Sequence, residues 1–191
     1  EAIDKTRPIT VGDNNPNGLQ NANTQEFRNK VSTVLAKNGE GLAGANYSMG
    51  SMAGIHKTHP DWKIIATESA SPSNSRGIYN TLSQYNKTGD YQCTAYDTNA
   101  VSWGNTARES WWYTIKDDFV SGEFIWTGFD YIGEPTPWNG TDKGSVSGDK
   151  LAVPNSSYFG VIDTAGFEKD SFYFYTSQWR EDKKTLHVVP Q

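Results

Sequence analysis

The stretch Lys63-Ile64-Ile65-Ala66-Thr67-Glu68-Ser69-Ala70-Ser71-Pro72 decides the fold. Its apolar run from Ile64 to Ala66 is uninterrupted, the pattern of a strand buried on both faces. The run stops at a single carboxylate, Glu68. Small polar residues follow, then Pro72, Asn74, Arg76 and Gly77, the composition of a loop. A buried strand that ends in one Glu and opens into a loop is how a (β/α) barrel offers a reactive group at its active face. The same pattern also fits a Glu that only closes a strand end or pairs with Arg76, so the neighbouring segments have to decide.

Those neighbours alternate between short strands and helices. Ile9-Thr10-Val11-Gly12 reads as a strand that runs into an Asp-Asn-Asn-Pro loop at 13–16, and Phe27, Val31, Val34 and Leu35 recur at helical spacing across 24–38. Leu42 to Tyr47 is a second strand, and a brief helix near 52–59 is stopped by Pro60. Lys63–Glu68 is the third strand. Residues 79–104 are polar with interspersed aromatics and read as a long loop or lid. Helical spacing returns over 106–118, and Glu123–Asp130 is the fourth strand. A Gly-, Pro- and Asn-rich loop spans 131–157, a small strand or turn 158–162, and a last helix 168–180 carries Phe172, Tyr175 and Trp179 on one face. Thr185–Val189 alternates like a strand that begins something else. Four strands alternating with helices imply a parallel sheet with right-handed crossovers. A closed barrel needs eight strands and about 250 residues. The expected fold class is therefore α/β, a partial TIM (β/α)8 barrel.

Composition narrows the function. The 191 residues carry a net charge of −5 and no basic run, so a nucleic-acid footprint is absent. No apolar run approaches the roughly 20 residues that span a bilayer. Cys93 is the single cysteine, so this chain closes no disulfide on itself and has no cysteine cluster for zinc. His56, His59 and His187 form no helical metal pair; the first two read as surface residues, and neither metal nor cofactor is expected. The aspartates within 139–150 lack the spacing of a calcium loop. Sequons at Asn46, Asn86, Asn139 and Asn155 are read as chance, since Asn46 would point from a barrel strand. The informative excess is aromatic, with seven Trp, ten Tyr and eight Phe. Rings suit the apolar C–H faces of sugars, although most of these must fill the core. Glu1 is not a natural start and no signal peptide is visible, so the chain is expected to have been cut or processed. The compartment is left open; low cysteine with many Asn, Ser, Thr and aromatic residues fits an exported or cell-surface bacterial protein.

Three segments carry a resemblance: ATESASPSNSRG (Ala66–Gly77), WTGFDYIGEPTPW (Trp126–Trp138) and SYFGVIDTAGFEKDSFYFYTSQW (Ser157–Trp179). Together with DKTRPIT (Asp4–Thr10) and ANYS (Ala45–Ser48), they resemble the catalytic barrel of glycoside hydrolase family 2 in its β-galactosidase branch. The resemblance implies that residues 1–183 are strands five to eight of that barrel, and that 184–191 lead into a following β-sandwich domain. It implies hydrolysis of terminal β-D-galactosides with retention of configuration; β-glucuronidase or β-mannosidase activity, or sugar binding without turnover, are the alternatives. Carried over position by position, Glu68 matches the nucleophile and Tyr47 the tyrosine that orients it. Trp126 matches the tryptophan that floors the sugar subsite, and Asp13 or Asn14 the polar residue that meets sugar hydroxyls. Asn46, Arg76, Asp130, Glu134 and Trp138 match supporting or subsite positions.

The chemistry is consistent with those roles. A retaining glycosidase needs two carboxyl groups about 5–5.5 Å apart, one to attack and one to donate and then accept a proton. The family's acid/base is the Glu of an Asn-Glu pair ending strand four, and no Asn-Glu pair occurs in this chain. Glu109, Glu123 and Glu134 do not match it. The isolated chain is therefore expected to be inactive and, as a half barrel with two sheet edges, to need either its missing half or a second copy of itself.

Overall fold

The computed structural model describes residues 10–14, 42–79, 92–136 and 155–190. The helix expected over 24–38, most of the 79–104 loop's first half, and Trp138 lie outside the described residues. The chain divides into two compact units: Glu1–Ser69 with Ser110–Ile125, and Ala70–Glu109 with Trp126–Gln191.

The first unit holds the sheet. Its strands are β1 (Gly12–Asp13), β2 (Leu42–Asn46), β3 (Lys63–Ala70) and β4 (Val120–Trp126), hydrogen-bonded in the order β1-β2-β3-β4. The last residues of β3 and β4 already fall in the second unit. β1 runs parallel to β2, and β2 parallel to β3. A parallel four-stranded sheet in an α/β chain is consistent with a partial barrel. Thr10 ties the start of β1 to β2, its hydroxyl donating to the Leu42 carbonyl at 2.7 Å.

Between β2 and β3 come a 3-10 turn (Met49–Ser51) and helix α1 (Met52–Thr58). Met49, Met52 and Ile55 pack with Ala43, Ala45, Ile64 and Ala66 into one buried cluster, flanked by Trp62, Tyr113, Phe119 and Val120. Burying a side chain such as Ile64 contributes about 1.5–3 kcal/mol relative to exposure. His56 and His59, expected at the surface, are instead half-buried: their rings stack on Phe119 and Trp62 with centroids 4.0 and 3.8 Å apart. A flat imidazole covers an aromatic face as well as an apolar side chain does, which the spacing of histidines does not reveal.

β3 departs from the expectation of burial on both faces. Ile64 and Ala66 are 0% exposed, but Ile65 and Thr67 are only half-buried. Alternate residues of a strand point to opposite faces, and only one face of β3 meets the Met- and Ile-rich cluster. The other face meets backbone: a Cβ placed on Gly44 would lie 2.2 Å from the Val11 carbonyl oxygen and 2.8 Å from Thr67 Cγ2. Glycine is required there by close approach of three strands.

In the second unit, Ala70 and Ser71 take φ of 62° and 72°, turning the chain sharply off β3. The turn is pinned on both sides. Asn105 N–H donates to Ala70 O at 2.8 Å, and Ser71 N–H donates to Trp126 O at 3.2 Å. Residues 92–106 form neither helix nor strand, as expected for that loop. Helix α2 (Ala107–Ile115) then starts on a capping box: Glu109 N–H donates to Thr106 Oγ1, and Thr106 N–H donates to the Glu109 carboxylate. Asp97 adds two more acceptors for the amides of Ala107 and Arg108, both at 2.9 Å. Burial pushes the Asp97 carboxyl up, and those two amides oppose the shift.

Helix α3 (Asp170–Trp179) buries Tyr175, whose ring lies 4.5 Å from Trp179. Thr185–Val189, expected to alternate as a strand, takes no strand pairing. Leu186 and Val188 are exposed, while His187 stacks on Tyr173 at 4.2 Å and contacts Asp170 at 2.5 Å. Alternating hydrophobicity becomes a strand only where an edge is there to pair with.

Candidate active site

Strand register assembles the polar residues of the first unit. In parallel strands all carboxyl ends point the same way; β1 and β2 end in Asp13 and Asn46, and β3, expected to stop at Glu68, runs on to Ala70 with Glu68 two residues before its end. Asp13 is opposite Ala45, and Asn46 is opposite Glu68. The second pairing depends on an irregularity. Gly44 pairs with Ile65, so in a regular ladder Asn46 would face Thr67; an extra residue in β3 brings Glu68 there instead. Bulges re-aim side chains in this way and are common beside active sites.

The carboxylate is oriented by side chains on both strands. Asn46 Nδ2 donates to Glu68 Oε2 at 3.4 Å. The other end of that amide is fixed by Thr67, whose hydroxyl donates to Asn46 Oδ1 at 2.6 Å. Thr67 therefore sets which way the Asn46 amide faces, and only that orientation presents N–H to Glu68. Tyr47 follows directly, at φ 50°. The left-handed region costs a non-glycine residue on the order of 1 kcal/mol or more, and the turn is held by Tyr47 N–H donating to the Glu68 carbonyl at 2.8 Å. Glu68, Asn46 and Tyr47 are each half-buried, so they are packed and still reachable. Asn14, next to Asp13, is exposed.

The second unit groups the other expected residues differently. Trp126 stands edge-on to Tyr131, with centroids 5.9 Å apart. The Tyr131 hydroxyl donates to the Glu134 carboxylate, whose other oxygen accepts from buried Thr136 at 2.7 Å. Arg76 and Asp130 line one cavity of about 270 Å3 with Asp163, Lys169, Ser157 and Tyr158. Arg76 is engaged: its Nε donates to Asp163 at 2.7 Å, and its guanidinium lies 4.7 Å from the centre of the Phe167 ring. Burial works against ionisation of Asp163, but the Arg76 hydrogen bond and the amides of Phe167 and Ala165 hold its carboxyl below the usual range.

The Asp130 side chain is enclosed. Its Oδ2 lies 2.5 Å from Lys169 Nζ, and its Oδ1 accepts from the Gly160 amide at 2.7 Å. Lys169 also donates to the carbonyls of Asn74 and Tyr158, at 2.7 and 3.2 Å. The two side chains are only 6% and 2% exposed. Burial pushes the Asp130 carboxyl up, against the pull of Lys169, and pushes the Lys169 ammonium down. Cys93 nearby is carried up to about 12 by the same burial.

No protein-family model matches the chain. Individual proteins do. The β-galactosidase BoGH2A of Bacteroides ovatus is 36% identical over 100% of this chain, which corresponds to 21% of that protein. A solved β-glycosidase from Bacteroides vulgatus has 25% identity and a TM-score of 0.56, covering 73% of this chain and 20% of its own. The resemblance to glycoside hydrolase family 2 holds. A protein described as a putative β-glucuronidase from Formosa agariphila is 37% identical over 51% of this chain and 8% of its own length. The chain thus spans about a fifth, or less, of the curated relatives it matches, and those relatives are glycoside hydrolases.

Three participants were not visible in the sequence. Thr67 carries no signal in the sequence beyond lying in the third strand, and the hydrogen bond to Asn46 appears only in the structure. Lys169 is distant in sequence from Asp130, and nothing local pairs them. Glu123 was taken as the start of a strand; the signal that could have marked it is a carboxylate directly preceding the apolar run Phe124-Ile125-Trp126.

Proposed function

We propose that this chain is the nucleophile-bearing half of a retaining β-galactosidase of glycoside hydrolase family 2, comprising strands five to eight of its barrel in residues 1–183. Residues 184–191 lead out of it toward a β-sandwich. The observation that carries the reading is Glu68 at the carboxyl end of β3, half-buried, drawn into register with Asn46 by the bulge and hydrogen-bonded to its amide. A carboxylate held this way has one oxygen fixed and the other available to attack.

In the proposed reaction a Glu68 oxygen attacks the anomeric carbon. A glycosyl ester forms as the glycosidic C–O bond breaks, and the departing oxygen takes a proton from an acid that this chain does not supply. Water, activated by the same group as base, then cleaves the ester and returns Glu68 to its carboxylate, with net retention. Trp126 forms the apolar floor for the sugar, and Asp13, with Asn14 beside it, reads hydroxyls. Tyr47 orients Glu68. Arg76, Glu134 and Trp138 are assigned to the subsite by the family resemblance. Asp130, with its oxygens committed to Lys169 and Gly160, acts as a support within its own unit rather than as a sugar contact. Needing the acid from elsewhere, the chain is inactive alone, and the half barrel pairs with its missing half or with another copy. A compact 21.2 kDa monomer with a cooperative melt would contradict the pairing.

The test uses the parent protein, extended to include the upstream carboxylate, and a β-galactoside with a coloured leaving group. Turnover should vanish in Glu68→Gln, and azide should restore product in Glu68→Gly by attacking where the carboxylate stood. Unchanged turnover in those variants would remove Glu68 from the reaction. The Formosa relative favours one second reading, a β-glucuronidase; turnover of the glucuronide in preference to the galactoside would establish it instead. Sugar binding without turnover of any β-glycoside would leave a binding module.

A further inference from the structure

Beside Glu68, on the opposite face of β3, lies a second carboxyl group with no part in the chemistry above. Ser69 is 0% exposed, and its hydroxyl donates to Glu123 Oε2 at 2.7 Å. Ser110 of α2, also 0% exposed, donates to the same oxygen at 2.6 Å. The Ser69 hydroxyl lies in addition 3.3 Å from the Phe124 carbonyl on β4. The Glu123 carboxyl is thus the node that joins β3, β4 and α2. Its other oxygen, Oε1, is buried without a hydrogen bond.

A carboxyl buried among hydroxyls is a costly way to fasten a helix to a sheet, and burial pushes Glu123 up despite the hydroxyls of Ser110 and Ser69. An apolar contact at that place would hold the elements together with no such cost. What the carboxyl adds is direction. The Ser110 hydroxyl holds the Glu123 carboxyl in place, and that carboxyl in turn fixes the Ser69 side chain, and with it the backbone at the residue following Glu68. Because adjacent strand residues point to opposite faces, clamping Ser69 on the helix side fixes the angle at which Glu68 leaves on the other side. That clamp works just beyond the β3 bulge, where the ladder alone defines direction least.

We infer that Glu123 is a positioning residue for Glu68, acting through the Ser69 hydroxyl, an inference that rests on Glu68 being the nucleophile. It touches neither sugar nor reacting atoms. Its effect is on the aim of the nucleophile, so it belongs in kcat and in the acidic limb of the kcat/KM profile rather than in KM.

The experiment compares Ser69→Ala, Glu123→Ala and Glu123→Gln in the parent protein, with active sites counted by trapping the glycosyl-enzyme. Ser69→Ala and Glu123→Ala should lower kcat per active site about ten- to a hundredfold, leave KM within about twofold and shift the acidic limb. Glu123→Gln should recover most of the rate, since its amide oxygen accepts both hydroxyls and its NH2 falls where Oε1 has no partner. If Ser69→Ala, the milder change, keeps kcat per site and the pH profile of the parent, the cluster is a structural fastening only and the inference is overturned, whatever Glu123→Ala does to folding. The Glu68→Gln control separates this from failure of the underlying reading: if that variant retains turnover, the nucleophile is elsewhere.

Discussion

Glu123 in one unit and Asp130 in the other are both withdrawn from water, and the molecule compensates them in opposite ways. Asp130 has a full counter-charge, with Lys169 Nζ at 2.5 Å and two backbone carbonyls completing the shell of that lysine. Glu123 has hydroxyls instead, hydrogen bonds from Ser69 and Ser110 with the Thr114 hydroxyl also acting on the carboxyl, and Oε1 makes no hydrogen bond within standard geometry. In both, burial drives the carboxyl above its ordinary range. The difference lies in what each arrangement tolerates. An ion pair held this tightly cannot lose one member without stranding the other, whereas a carboxyl among hydroxyls can be neutral and still accept every bond it makes. Charge is integral at Asp130 and dispensable at Glu123.

The largest effect should come from breaking the ion pair. Lys169→Met removes the counter-charge of a carboxylate that is 6% exposed, and stranding one member of a buried pair typically costs about 3–5 kcal/mol. The Asn74 and Tyr158 carbonyls lose their donor as well. Chemical denaturation of the parent protein should show the loss. The double change Lys169→Met with Asp130→Asn should recover much of it, because the uncompensated charge is gone. A loss that is equal in the single and the double variant would mean that packing of the lysine stem, not charge, holds this region.

An intermediate effect is expected at the other carboxyl. Glu123→Ala leaves the Ser110 hydroxyl buried without its acceptor, and Ser69 with the longer bond to Phe124 alone. An orphaned buried hydroxyl costs about 1–3 kcal/mol. Glu123→Gln should cost less than 1 kcal/mol, because an amide oxygen replaces the accepting oxygen. The contrast with Lys169→Met is the point of the comparison: a conservative neutral replacement is nearly silent at one carboxyl, and the removal of charge is severe at the other. A Gln variant as damaged as the Ala variant would show that Glu123 is held as an ion, and the contrast would fail.

How far these features were legible beforehand depends on the range of the interaction. Four strands in parallel order and the strand that carries Glu68 followed from apolar runs punctuated by Gly, Pro and Asn, all local signals; their ends did not, since β3 runs on to Ala70 and β4 covers Val120–Trp126 instead of 123–130. The row Asp13, Asn46 and Glu68 was half legible. That each lies at or near the end of a strand could be read from the loops that follow, but that Asn46 faces Glu68 depends on one extra residue in β3, and nothing between Ile65 and Glu68 announces it. Ile65 was misjudged for a related reason: an unbroken apolar run does not say whether its second face meets a core or the backbone of Gly44 and Val11. Lys169 was illegible, because a charged residue looks the same in a sequence whether it is solvated or buried against a partner far along the chain, and Glu123 showed only its place before an apolar run, not its partners.

The smallest effect, and the finest test of the comparison, is the pH dependence of stability. Burial raises the Glu123 carboxyl in the folded chain above its unfolded value. Between those two values the folded state retains a proton that the unfolded chain has released. Stability therefore falls as pH rises through that window, and is regained as pH drops back below the unfolded value. Asp130 contributes with the same sign, so a melt of the unaltered protein reports both groups together. Glu123→Gln, which carries no titrating proton, isolates one of them. Subtracting its melting temperatures from those of the parent across the acidic range should leave a difference that grows with pH, to the disadvantage of the parent. Above the folded value the difference should level off. A flat difference would mean that Glu123 titrates alike in both states, and that its hydroxyl shell offsets the cost of burial in full.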